Sequence, residues 1–137
     1  MSVRVLVVDD HDIVREGLSR SLQEEENFDV VGEAADGQAA IDMVQTAAPD
    51  VILMDISMPK MDGFVATERI LAKTPNVKVI ALSMHGARWF VDKMLKSGAS
   101  GYLMKDCDND ELREAIETVL DGRIYISPLT GYVETQC

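Results

Sequence analysis

Cysteine is scarce in this chain, with only Cys107 and Cys137 among 137 residues. They form no C-x-x-C pair and have no histidine at ligand spacing, which argues against a zinc site and against a disulfide framework. Both are read as free thiols in a reducing compartment, and Cys137, the last residue, is expected to be mobile. Long apolar runs are missing as well. The longest, such as Val5 to Val8 and Val51 to Met54, are far too short to span a bilayer, so no membrane role is expected. The N-terminus lacks a basic segment followed by an apolar one and a small-residue cleavage site. No secretory signal is read there, and the expected location is the cytoplasm. Positive charge is in deficit: 13 Lys and Arg stand against 24 Asp and Glu, for a net charge of −11. An acidic surface repels phosphate backbones, which makes this chain by itself a poor nucleic-acid binder. Solubility accounts for part of the acid. Some of it stands where solubility would not place it.

What is present suits one domain of ordinary size, with 47% hydrophobic residues to build a core. Five short apolar runs alternate with longer segments of helical period. The runs are Val3 to Val8, Phe28 to Gly32, Val51 to Met54, Val77 to Leu82 and Gly101 to Met104. They are rich in β-branched residues and too short for good helices. Val5 to Val8 and Val51 to Met54 show no apolar/polar alternation, which implies burial on both faces, as in a parallel sheet covered by helices. Between the runs, the first helix carries Ile13, Leu18 and Leu22 at helical spacing. The second carries Ala39, Ala40, Met43 and Val44 and ends before Pro49. The third spans about Gly63 to Lys73. The fourth sets Phe90, Val91, Met94 and Leu95 on one face and stops at Gly98. The fifth sets Leu112, Ile116, Val119 and Leu120 on one face, begins at an Asp108 or Asn109 cap and ends at Gly122. The order is βα repeated five times, an α/β sandwich with right-handed crossovers and a parallel sheet. Residues 1–122 are read as the domain, and 123–137 as a tail or the start of a linker.

In open α/β sheets, sites form outside the carboxyl ends of the strands. There the sequence places Asp9 and Asp10 after the first strand, Asp55 after the third, Ser83 after the fourth and Lys105 after the fifth. Singly, each has an ordinary reading. Asp9 and Asp10 can cap the first helix, Asp55 can be a turn residue, and Lys105 can be solvated. Together they bring three carboxylates, a hydroxyl and an ammonium to one edge. Close carboxylates repel one another, so a cation is expected among them. Oxygen-only donors with room for water favour a hard ion, Mg²⁺. Mg²⁺ and Lys105 would neutralise a transferring phosphoryl group, and a carboxylate can accept it as an acyl phosphate. Asp55 ends the central strand, between Asp10 and Lys105, and is read as the nucleophile. Neighbouring strand residues point to opposite faces, so Asp10 is expected to bind the metal directly and Asp9 through water or a bend.

The residues also resemble a known family, the receiver domains of bacterial response regulators. The resemblance rests on Val7-Val8-Asp9-Asp10-His11, on Leu53 to Gly63 around Asp55, on Ala81-Leu82-Ser83 and on Gly98 to Lys105, and covers about Val3 to Gly122. It implies a (βα)5 flavodoxin-like three-layer sandwich whose five parallel strands have the order 2-1-3-4-5. It implies that Asp55 accepts phosphate from a sensor histidine kinase and that Asp9 and Asp10 form an acidic pocket. It also implies that the Ser57 backbone helps hold Mg²⁺ and that Lys105 contacts the phosphoryl group. Ser83 resembles the switch hydroxyl, and Tyr102 the switch aromatic that turns inward with it. Val8 to His11, Leu82 to His85, Gly101 to Lys105 and Tyr125-Ile126-Ser127-Pro128 are similar to the class with a LuxR-type helix-turn-helix effector. No second amphipathic helix pair or basic recognition helix follows, so two readings stay open: an excised receiver, or one that acts alone. DNA contact would come only through such an effector.

On this reading, phosphate on Asp55 draws Ser83 in and remodels the face of the fourth helix, fifth strand and fifth helix, where a homodimer can form. Trp89 lies off the buried stripe of its helix and is a candidate contact residue; the alternative is a partly buried flanking tryptophan. Ser57 and His85 stand two residues beyond Asp55 and Ser83. They are expected to flank a water attacking the acyl phosphate and so to tune dephosphorylation, although His85 can also be a plain loop residue. Two other classes compete. An aspartyl phosphohydrolase would want an acid/base two residues after Asp55, where Ser57 stands, and a cap domain. A flavin binder would want a glycine- and hydroxyl-rich loop after the first strand, where the chain has Asp9-Asp10-His11-Asp12.

Overall fold

Continuous apolar runs become strands buried on both faces. In the computed structural model, which describes residues 2–132, the elements follow in strict alternation. They are β1 (Val3–Val8), α1 (Asp12–Gln23), β2 (Phe28–Ala34), α2 (Gly37–Ala47), β3 (Val51–Asp55), α3 (Gly63–Lys73), β4 (Lys78–Ser83), α4 (Arg88–Lys96), β5 (Gly101–Met104), α5 (Asn109–Leu120) and β6 (Tyr125–Ile126). A 3-10 turn, Pro128–Thr130, comes last. The strand order is β2-β1-β3-β4-β5-β6, and every pair is parallel.

The pleat sends alternate residues of each strand into different cores. Leu6, Val8, Ile52, Met54, Val79 and Ala81 pack with Val44 of α2, Ile70 of α3 and Val91 of α4. Val5, Val7, Leu53, Ile80, Leu82 and Leu103 pack with Leu22 of α1 and Ile116 and Val119 of α5. That is a three-layer sandwich. Asp36, Asp62 and Asp108 cap α2, α3 and α5, each accepting from the backbone N–H three residues on, at 2.8–3.0 Å. Helix α1 has no such cap. Its N-cap is His11, without a side-chain bond, so Asp9 and Asp10 do not serve as its capping residues.

Two expectations are corrected. The sheet has six strands, not five, because Tyr125 and Ile126 add to the open edge of β5. Ile13 is not on the core stripe of α1: it is 86% exposed, and Leu22, with the half-buried Leu18, carries the packing on that helix. Trp89 is exposed beside a stripe in which Val91 and Met94 are buried and Phe90 and Leu95 half-buried. Cys107 is a free, half-buried thiol, while Cys137 lies outside the described residues. Among the described residues no helix is long and apolar enough to cross a membrane.

Candidate functional site

Parallel strands deliver their carboxyl ends to one edge, and that is where the acidic residues gather. Asp9 and Asp55 are almost completely buried. Between them reaches Lys105, its Nζ 3.1 Å from Asp9 Oδ2 and 3.1 Å from Asp55 Oδ1. Asp10 is a quarter exposed at the mouth. Asp9 Oδ1 accepts from the His11 backbone N–H at 2.8 Å, which turns the chain sharply after β1. The His11 ring follows that turn, with Nδ1 3.2 Å from a carboxylate oxygen of both Asp9 and Asp10. Beyond β3, the Ser57 N–H donates to Asp55 Oδ1 at 3.3 Å. The loop closes where Gly63 N donates to Ile56 O at 2.8 Å. A Cβ on Gly63 would run into the Asp55 carbonyl oxygen, so only glycine lets α3 start this close to the acid.

Burial and the neighbouring Asp9 charge push the Asp55 carboxyl up to about 6, and Lys105 only partly offsets them. Burial disfavours the Lys105 ammonium, but Asp9 and Asp55 outweigh it, so its pKa is raised. One ammonium thus serves a nest of three carboxylates, which remains short of positive charge. Asp9 Oδ2, Asp10 Oδ1 and Asp55 Oδ2 are buried oxygens without a hydrogen-bond partner. The first two still lie 3.1 Å from Lys105 Nζ and 3.2 Å from His11 Nδ1, outside hydrogen-bond geometry. One donor atom each from Asp9, Asp10, His11 and Asp55 lies within 4.8 Å of the others. Unpartnered carboxylate oxygens in so small a space fit a hard divalent cation.

Over the acids lies a cleft of about 260 Å³ lined by His11, Asp55, Ser57, Met84, His85 and Lys105. Ser57 and His85 therefore face the same space as Asp55. Ser83 is buried just behind, its Oγ accepting from the His85 backbone N–H at 2.9 Å. Tyr102 is fully buried, and its hydroxyl donates to the His85 carbonyl. Burial raises the Tyr102 pKa despite a contact with Ser83 that lowers it. The inward position expected only after switching is thus the one Tyr102 occupies here. Trp89 lies away from the cleft, edge-on to Phe64 and Phe90 with ring centroids 6.0 and 5.0 Å away. Nothing in the residue pattern marks His11 as a site residue apart from its place directly after Asp10.

Residues 5–117 match the response regulator receiver domain family. The chain is 45% identical over 126 residues to the transcriptional regulatory protein DegU of Brevibacillus brevis, covering 92% of this chain and 53% of that protein. It is 42% identical over 125 residues to the response regulator UvrY of Escherichia coli strain K12, covering 91% and 57%. The chain thus spans little more than half the length of these relatives. Among solved structures, a LuxR-family two-component response regulator from Aurantimonas sp. SI85-9A1 superposes with a TM-score of 0.90 at 37% identity, covering 96% of this chain and 94% of that one.

Proposed function

This chain belongs to the response regulator receiver domain family, and we propose that its phosphoacceptor is Asp55, loaded by a sensor histidine kinase. The observation that carries the assignment is the Asp55 carboxylate itself. It is buried, one oxygen lies 3.1 Å from Lys105 Nζ, and the other has no hydrogen-bond partner, which supports it as the attacking atom. Asp55 Oδ2 attacks phosphorus, and the P–N bond to the donor imidazole breaks. The imidazole keeps the electron pair and picks up a proton, leaving an acyl phosphate on Asp55. In a separate dephosphorylation step water attacks phosphorus, the P–O bond to Asp55 breaks, the carboxylate is regenerated and inorganic phosphate leaves. The chain catalyses these two steps on itself and no others.

Asp9, Asp10, Asp55 and the Ser57 backbone oxygen would hold Mg²⁺, which supplies positive charge against the phosphoryl oxygens. Lys105 pairs with one of those oxygens from the β5 side. Ser83 turns its hydroxyl to another, with Tyr102 already buried beside the loop and bonded to the His85 carbonyl. Ser57 and His85 border the path of the attacking water. The outcome is a remodelled face of α4, β5 and α5, used in homodimer or partner contact, with Trp89 on its rim. In the cytoplasm, this face would govern a DNA-binding output carried by a different segment of the protein. Incubation with acetyl phosphate and Mg²⁺ should add one phosphoryl group to the intact mass, and a chelator should abolish the gain. Absence of any gain, with Mg²⁺ binding confirmed, would reduce the chain to a plain interaction module.

A further inference from the structure

From the geometry of residues 125–132 we infer that this segment is a strap clamped to the loop after Ser83, so that the loop and the strap move together. Its use as a readout rests on the switching reading above; the clamp itself does not.

The strap is held at three successive places. First, it extends the sheet. Tyr125 N donates to Ser100 O at 3.0 Å and Ser127 N to Tyr102 O at 2.9 Å, while the Tyr125 hydroxyl donates to Glu111 on α5 at 2.9 Å. Second, it folds back on itself at a buried serine. Ser127 Oγ accepts from Leu129 N at 3.2 Å, and Thr130 Oγ1 donates to Ser127 O at 2.8 Å. Third, it reaches α4. Tyr132 OH donates to Asp92 Oδ1 at 2.7 Å, and the Arg88 guanidinium lies 5.7 Å from the centre of the Tyr132 ring.

Between the second and third places the strap rests on the switch loop. A Cβ added to Gly86 would meet the Thr130 Cα at 3.2 Å, so the two backbones run close to each other with room for little more than glycine. Gly86 is tied to Ser83 by a short path, because the next residue back, His85, donates its N–H to Ser83 Oγ. A serine hydroxyl can donate one hydrogen bond while still accepting another. Ser83 can therefore swing its hydroxyl toward a phosphoryl oxygen while keeping the bond from His85, and that bond draws the loop along. Tyr102 closes the circuit: its hydroxyl binds His85 O while its carbonyl binds Ser127 N. One residue thus joins loop and strap from below, while Gly86 against Thr130 joins them from above. Coupling carried by such contacts must be reciprocal.

Hydrogen exchange on the full chain tests this with Gly86→Ala and Tyr132→Phe. Alanine at 86 presses on Thr130, so the Ser127 and Tyr132 amides should exchange faster. The change should be on the order of threefold to tenfold, the effect of one net hydrogen bond on a local opening. Phenylalanine at 132 removes the hydroxyl bond to Asp92 and so loosens the α4 anchor while keeping the ring beside Arg88, and the His85 amide should exchange faster. If Gly86→Ala does not fold, Tyr132→Phe still decides. Changes confined to residues 84–87 in the first variant and 130–132 in the second would overturn the inference. A third arm uses protein shown by intact mass to carry phosphate: a changed His85 amide with unchanged strap amides there would also overturn it. Protein that takes up no phosphate would contradict the proposed function instead, and the two variants would still decide the strap.

Discussion

Lys105 Nζ stands 3.1 Å from Asp55 Oδ1 although their strands are not neighbours, since β4 lies between β3 and β5. The long lysine side chain spans that gap and ends among acids that would otherwise repel one another. Three carboxylates around one ammonium leave the site under electrostatic stress.

The first expectation concerns pH. The Asp55 carboxyl titrates near 3.8 when unfolded and at about 6 when folded. Between those values the folded chain binds more protons than the unfolded one, so stability falls as pH rises from about 4 to about 6 and then levels off. Asp55 alone should contribute about 2–3 kcal/mol to that fall. In metal-free urea titrations, Asp55→Asn should remove this part of the slope and be more stable than wild type at pH 7. An equal slope in both proteins would contradict the raised value.

Mg²⁺ should relieve the same stress. At a hundredfold excess over its dissociation constant, it should stabilise the fold by about 2.7 kcal/mol. The difference in Tm between Mg²⁺ and chelator should shrink in Asp9→Asn and in Asp10→Asn. An undiminished difference in both variants would exclude these carboxylates as ligands.

Ser57 and His85 line one cleft with Asp55 but lie at different strand ends. Exchanging the two residues should change the half-life of the phosphorylated chain several-fold while leaving the rate of phosphorylation close to wild type. Equal half-lives would remove both residues from the path of the attacking water.

Trp89 is 60% exposed, and Lys93 Nζ sits 5.1 Å from the centre of its ring. Because it covers little core, Trp89→Ala should cost about 1 kcal/mol or less in stability. It should weaken phosphate-dependent association, measured by sedimentation. Association equal to wild type would make Trp89 a flanking residue of the α3–α4 packing only.

Much of this was legible in the sequence, for physical reasons. Runs such as Val5 to Val8 leave no polar face, so they had to be buried strands, and parallel strands had to bring Asp9, Asp55, Ser83 and Lys105 to one edge. What was hidden lacks a periodic signal. Tyr125 and Ile126 make a strand of two residues, too short to alternate, and their pairing depends on the free edge of β5. Ile13 looked like core because it is apolar at the right spacing, but it sits in the first turn of α1, beyond the reach of the sheet. The approach of His11 to both aspartates follows from the turn that Asp9 Oδ1 makes with its N–H, a local bond that spacing does not encode. The inward Tyr102 depends on a hydroxyl partner, the His85 carbonyl, that is 17 residues away in sequence.

The most direct test asks which carboxylate carries the phosphoryl group. Phosphorylated protein reduced with borohydride converts an aspartyl phosphate into homoserine, which peptide mass mapping can place. Homoserine at position 55 alone, and none in Asp55→Asn, is the expected result. Homoserine at position 9 or 10, or phosphate retained by Asp55→Asn at wild-type level, would contradict the assignment of Asp55 and the mechanism built on it.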